Sequence, residues 1–168
     1  MTPRLALAAL VLAALASPAA ALSCLRPDPA RTFQEADASE RVFAVIHGRF
    51  SFDAGRMPGG LLTERTPDDP QPEPVVSEFM GHVLGPEGFT ESWMGPVILQ
   101  PVCGGPWCGQ LPSPVEALAF VLVDDGGPTL VLDPCATRVF PDPSRETLAQ
   151  MVSCIQGGDC TPADGLPQ

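Results

Sequence analysis

Six cysteines, at positions 24, 103, 108, 135, 154 and 160, all lie downstream of an export leader. Residues 1–21 carry one positive charge at Arg4, an apolar run of Ala, Leu and Val over 5–16, and small residues at Ser17, Ala19, Ala20 and Ala21. That is the three-part layout of a secretory signal peptide. The apolar run is too short to cross a bilayer, which needs ~20 residues. An exported chain enters an oxidising compartment, where an even set of cysteines is expected to close as disulfides. Many pairings are possible, and sequence alone does not choose among them. The close spacing of Cys103 with Cys108 and of Cys154 with Cys160 suggests two local bridges, which leaves Cys24 for Cys135. That last bridge would tie the N-terminus to the body and contribute roughly 3–5 kcal/mol by chain-entropy reckoning.

Cleavage after Ala21 leaves Leu22 first and is the better small-x-small match; cleavage after Ser23 would leave Cys24 first. Either way about 147 residues remain, enough for one domain (22–160) with its own core. The chain has 20 acidic residues against 9 basic ones, a net charge of −11, with no lysine and no tyrosine. Such a surface disfavours nucleic acid and anionic lipid, both of which want a basic patch. It favours solubility, or a cationic partner. No later stretch is long and apolar enough to span a membrane, so a periplasmic or secreted protein is expected, with a protein partner in the envelope or outside.

Asp28-Pro29 has the cap-then-proline signature of a helix start, and a short helix is expected over 29–38. Residues 42–52 (VFAVIHGRFSF) read as the first strand, with Val42, Ala44, Ile46, Gly48, Phe50 and Phe52 on the core face. The stretch 53–74 holds Pro58, Pro67, Pro70, Pro72 and Pro74 among acidic residues and is expected to be a long mobile loop. Strands are expected at 75–84, 88–94 and 96–102. The runs EALAFVLV and TLVL around Asp124-Asp125-Gly126-Gly127 predict a hairpin. Asp142-Pro143 repeats the helix-start signature, and Leu148, Met151, Val152 and Ile155 give the following helix one buried face. Residues 161–168 read as a flexible tail. The order short helix, five or six antiparallel strands, terminal helix points to a mainly β fold, a small barrel or sandwich.

The lone Cys24, the segment RPDPARTFQEADASERVFAVIHGRF, FMGHVLG, the run CGGPWCG, ALAFVLVDDGGPTLVLDPC and a last cysteine pair on a terminal helix together resemble the netrin-like domain. That is the OB-fold barrel of tissue inhibitors of metalloproteinases and related bacterial exported proteins. The resemblance covers residue 24 to about residue 160 and implies a five-stranded barrel flanked by helices, with Cys24 bridged to the sheet. In the inhibitors an N-terminal cysteine chelates the target's zinc through its amine and carbonyl; here only Cys24 matches it, and only if cleavage follows Ser23. Arg26 stands where the inhibitors carry a second cysteine.

The remaining candidates weigh towards structure. Four residues separate Cys103 from Cys108, against two in redox motifs, and Gly109 and Pro112 argue against a following helix that would lower a thiol pKa. His47 and His82, far apart in sequence, are candidate metal ligands. Trp107, in a glycine-rich loop, is the candidate contact residue. No serine sits in a nucleophile-elbow setting, Asp124 and Asp125 occupy a turn, and no motif asks for a cofactor. The expectation is an exported binding module, not an enzyme. The alternatives are a thiol-disulfide or metal-handling protein and a structural envelope protein.

Overall fold

The computed structural model describes residues 22–163; the expected leader (1–21) and residues 164–168 lie outside it. Two helices, α1 (Pro29–Asp37) and α2 (Arg145–Ile155), flank strands β1 (Phe43–Ser51), β2 (Val75–Gly85), β3 (Gly88–Pro101), β6 (Val115–Asp124) and β7 (Gly127–Leu132). A two-residue pair, β4 (Cys103–Gly104) and β5 (Trp107–Cys108), and a short β8 (Val139–Pro141) complete the elements. The long strands pair in the order β1-β2-β3-β7-β6, and β6 returns to β1, which closes a five-stranded OB-fold-like barrel with β8 on its margin. Every long pairing is antiparallel except the β3–β7 seam, which runs parallel from Ile98 opposite Thr129 to Pro101 opposite Leu132. Hairpin logic cannot foresee that seam, because it joins strands separated by the β4–β5 excursion and all of β6.

β6 shows why one strand of this chain reads as an unbroken apolar run. Val115, Ala117, Ala119 and Val121 point into the barrel with Ile46, Phe50, Phe79, Val97, Leu99, Leu130 and Leu132. The alternate residues Leu118 and Phe120 point outward, beneath α1 and α2, with Val45, Leu84, Ala30, Met151 and Cys154. Both faces of the strand are buried, so the period-two signal disappears. β1 behaves likewise at Val45 and Ile46, while Val42, expected in the core, is 66% exposed just before the strand.

The three bridges are Cys24–Cys135, Cys103–Cys108 and Cys154–Cys160. The two expected strands at 88–94 and 96–102 are one, β3, which runs through Pro96. β7 accompanies β3 only from Ile98 onward, so Pro96 sits where β3 is an edge and a missing N–H is tolerated. The turn at Asp124–Gly127 forms as expected, with Asp124 Oδ1 accepting from Gly126 N–H at 2.9 Å and Gly127 at a φ of 97°.

Three local expectations change. The loop at 53–74 is not free: the Leu62 N–H donates to Pro106 O at 2.8 Å, the Cys108 N–H donates to Gly60 O at 3.0 Å, and Gln71 Oε1 accepts from Cys103 N–H at 2.7 Å. It lies against the β4–β5 disulfide hairpin, which offers backbone groups that β-ladders do not use. The second helix is capped by Ser144, whose side chain accepts from Thr147 N–H, and not by Asp142, which takes a φ of 47°. The start of the expected tail is also held, since the Ala163 N–H donates to Asp28 Oδ2 at 2.9 Å.

Asp28 therefore serves twice, because its Oδ1 accepts from Arg31 N–H at 2.9 Å and caps α1 as the sequence predicts. Asp28→Ala is expected to lower stability by about 1 kcal/mol, the ordinary worth of an N-cap. Chemical denaturation of the two proteins checks it; an unchanged midpoint would mean that the cap contributes nothing.

Candidate functional site

The helices cover the outer face of β6, the early part of β1 and the Leu84–Phe89 end of β2 and β3, and leave uncovered the rest of the outer face shared by β1, β2 and β3. The register fixes which side chains stand there. Arg49 is opposite Met80, which is opposite Met94; one step along, His47 is opposite His82, which is opposite Ser92. One step the other way, Ser51 is opposite Glu78, which is opposite Pro96. Directly opposed residues on one face of an antiparallel pair have Cβ atoms about 4.5–5.5 Å apart. Two histidines 35 positions apart in sequence thus become neighbours.

Beneath these rows β1 and β2 approach unusually closely. Gly48 is opposite Gly81, and a Cβ on either would collide with backbone of the other strand, Met80 O for Gly48 and His47 O for Gly81. Glycine is required there because any side chain would push the two strands apart. The interior floor is finished by Phe79, which packs on Phe50 with ring centroids 4.8 Å apart and edge-on to Trp93 at 5.5 Å.

Two connected depressions mark this face. One, of about 720 Å³, is lined by Arg49, Val76, Glu78, Met80, Met94 and Pro96 among others. The second, of about 490 Å³, is lined by His47, Arg49, Met80, His82, Met94 and Glu116 among others. Val76, Met80 and Met94 are 58%, 60% and 75% exposed, a concentration of large apolar side chains in water. His47 is more enclosed: its Nε2 lies 3.1 Å from Glu116 Oε1, and its ring meets Phe89 edge-on at 5.7 Å.

The other sequence candidates lie elsewhere. Cys24 is consumed in its bridge to Cys135, with Leu22 and Ser23 ahead of it. Trp107 is half-buried, bridged through its backbone to Leu61 of the 53–74 loop, and lines neither depression. Cys103, Cys108, Cys135, Cys154 and Cys160 are likewise paired, and no free cysteine occurs among the described residues. Among those residues no three His, Cys, Asp or Glu side chains converge in a way that could hold a metal ion.

Sequence reasoning did not single out Val76, Met80, Met94, Arg49 and Glu116. The signal was present in β2, where VVSEFMGHVLG places Val76, Glu78, Met80 and His82 in alternation with buried Val75, Ser77 and Phe79. Two apolar residues on the outer row of a strand with a clear inner row mark a face that is not ordinary solvent surface. Comparison with protein-family models, with curated proteins and with solved structures finds no match for this chain.

Proposed function

We propose that this chain is an exported binding module that takes a partner protein on the outer face of β1, β2 and β3, and that it is not an enzyme. The observation that carries the reading is the exposure of Val76, Met80 and Met94 together around one depression. Contiguous apolar patches rimmed by polar residues mark interaction sites, and flexible thioether side chains suit a surface that adapts to its partner. Glu78 and Glu116 line the two depressions on a chain of net charge −11, so the complementary partner presents apolar side chains flanked by Arg or Lys.

The barrel order, with Cys24 stapled to Cys135, is in keeping with the resemblance to the netrin-like domain of metalloproteinase inhibitors. On this reading the protein works in the periplasm or outside the cell. Zinc chelation by the Cys24 amine is open to it only when the leader is cut after Ser23. The pairing of all six cysteines favours a structural over a thiol-exchange role.

A photo-crosslinking residue introduced at position 80 or 94 in the exporting cell is expected to trap one protein, while the same residue at Glu35 on α1 traps none. With that partner purified, the charge-adding double variant Met80→Glu/Met94→Glu should weaken binding by about 2 kcal/mol or more, roughly 30-fold, as for the centre of an interface. Equal trapping at position 35, or undiminished affinity of the double variant, removes this face as the docking surface.

A further inference from the structure

We propose that Met80, Met94, His82 and His47 form a surface site for a soft monovalent cation, Cu(I). The proposal concerns the metal alone and goes beyond the docking reading, with which it shares the two methionines. Both of the chain's two histidines and two of its five methionines line a single depression of about 490 Å³. Met80 and Met94 are directly opposed across β2 and β3, His82 stands two residues along β2 from Met80 on the same face, and His47 is opposed to His82. Successive same-face positions on a strand are about 7 Å apart and directly opposed ones about 5 Å, so the opposed pairs Met80–Met94 and His47–His82 form two adjacent rows of one patch.

The donor set selects the ion. Thioether sulfur favours Cu(I), and imidazole suits copper as well as zinc. Zinc and calcium would need more imidazole, thiolate or carboxylate, and no cluster of three such groups is present among the described residues. The cysteines offer no competing soft ligand, because all six are in disulfides. Glu116 is placed to give the support expected behind a ligating imidazole: its Oε1 lies 3.1 Å from His47 Nε2, which leaves Nδ1 as the ring nitrogen free to bind a metal. Arg49 is the one cation lining the depression, and Glu116 stands directly opposite it on β6. The Gly48–Gly81 pair fixes the spacing of the strands below, so the donors sit on a rigid wall.

The test uses the purified mature protein with its disulfides intact. Under nitrogen, with ascorbate keeping copper reduced, it is titrated with Cu(I) against the chromogenic chelator bicinchoninate. Withdrawal of one equivalent of copper is expected. Ag(I), a redox-inert stand-in, should shift the methyl resonances of Met80 and Met94 and the ring resonances of His82 and His47, leaving Met57 and Met151 in place, while Zn²⁺ does not reproduce the pattern. The variant Met80→Leu/Met94→Leu keeps the apolar surface and the wild-type thermal transition but should bind Cu(I) at least tenfold more weakly, and His82→Gln should do the same. No copper withdrawn from the chelator, undiminished affinity in the leucine variant, or Ag(I) shifts confined to other residues would each overturn the site. The two readings separate cleanly, because leucine preserves protein docking where glutamate abolishes it.

Discussion

Replacing Cys24 and Cys135 together by serine is expected to lower the unfolding free energy by about 3–5 kcal/mol, the largest effect of any one bridge. The two residues are 111 positions apart, so the bridge closes a loop over most of the unfolded chain, whereas Cys103–Cys108 and Cys154–Cys160 close loops with separations of only 5 and 6. By the same chain-entropy argument each short bridge contributes about 2 kcal/mol. The long bridge also holds the segment ahead of α1 against the 133–137 turn, where Asp133 Oδ1 accepts from Cys135 N–H at 2.8 Å. Denaturant unfolding of the double-serine variant beside a Cys103→Ser/Cys108→Ser variant checks the ranking. Equal losses would mean that the unfolded chain is already compact enough to make the long closure cheap.

Truncating Phe120 to alanine is the second large expected effect, a loss of about 3–5 kcal/mol, with a fall in Tm on the order of 10 °C or more. Phe120 is fully buried on the outward row of β6, edge-on to Phe140 with ring centroids 6.1 Å apart. It sits in the cluster that joins Ala30 of α1 and Met151 of α2 to the barrel wall. The cavity left by alanine therefore opens between layers that the backbone ladders do not connect, and helix docking should weaken before the barrel does. Hydrogen exchange should show α1 and α2 losing protection first. Phe120→Leu, which keeps most of the volume, should cost less than half as much. A loss below about 1 kcal/mol for the alanine variant would mean that the helices are not held by this cluster.

The differing legibility of these features follows from the range of the forces that set them. Asp28 caps α1 because an Asp ahead of a Pro satisfies the first free N–H groups whatever lies nearby. The Asp124–Gly127 turn is equally local. Ser144 displaced Asp142 as the second cap once the chain after β8 bent at Asp142, a decision of the surrounding structure. The loop at 53–74 carries the composition of a free segment, yet the β4–β5 hairpin pins it with backbone hydrogen bonds that no composition rule contains. His47 and His82 looked unrelated because their relation is a register, and register is fixed by the burial of Ile46, Phe50 and Phe79 on the other side of the sheet.

By itself, then, the sequence determined the mainly β fold class, the two helix positions, the hairpin, and a set of six cysteines whose spacing indicated the three bridges that form. Each of these rests on period, on turn chemistry or on nearness along the chain. Only the tertiary structure decided that β3 and β7 meet in parallel to close the barrel, that Gly48 and Gly81 let β1 and β2 approach, and that Met80, Met94, His82 and His47 share one wall. The physical reason is that packing of the barrel interior selects one register among several that the backbone would accept. That selection brings together, on the opposite face, side chains whose neighbourhood the chain nowhere spells out.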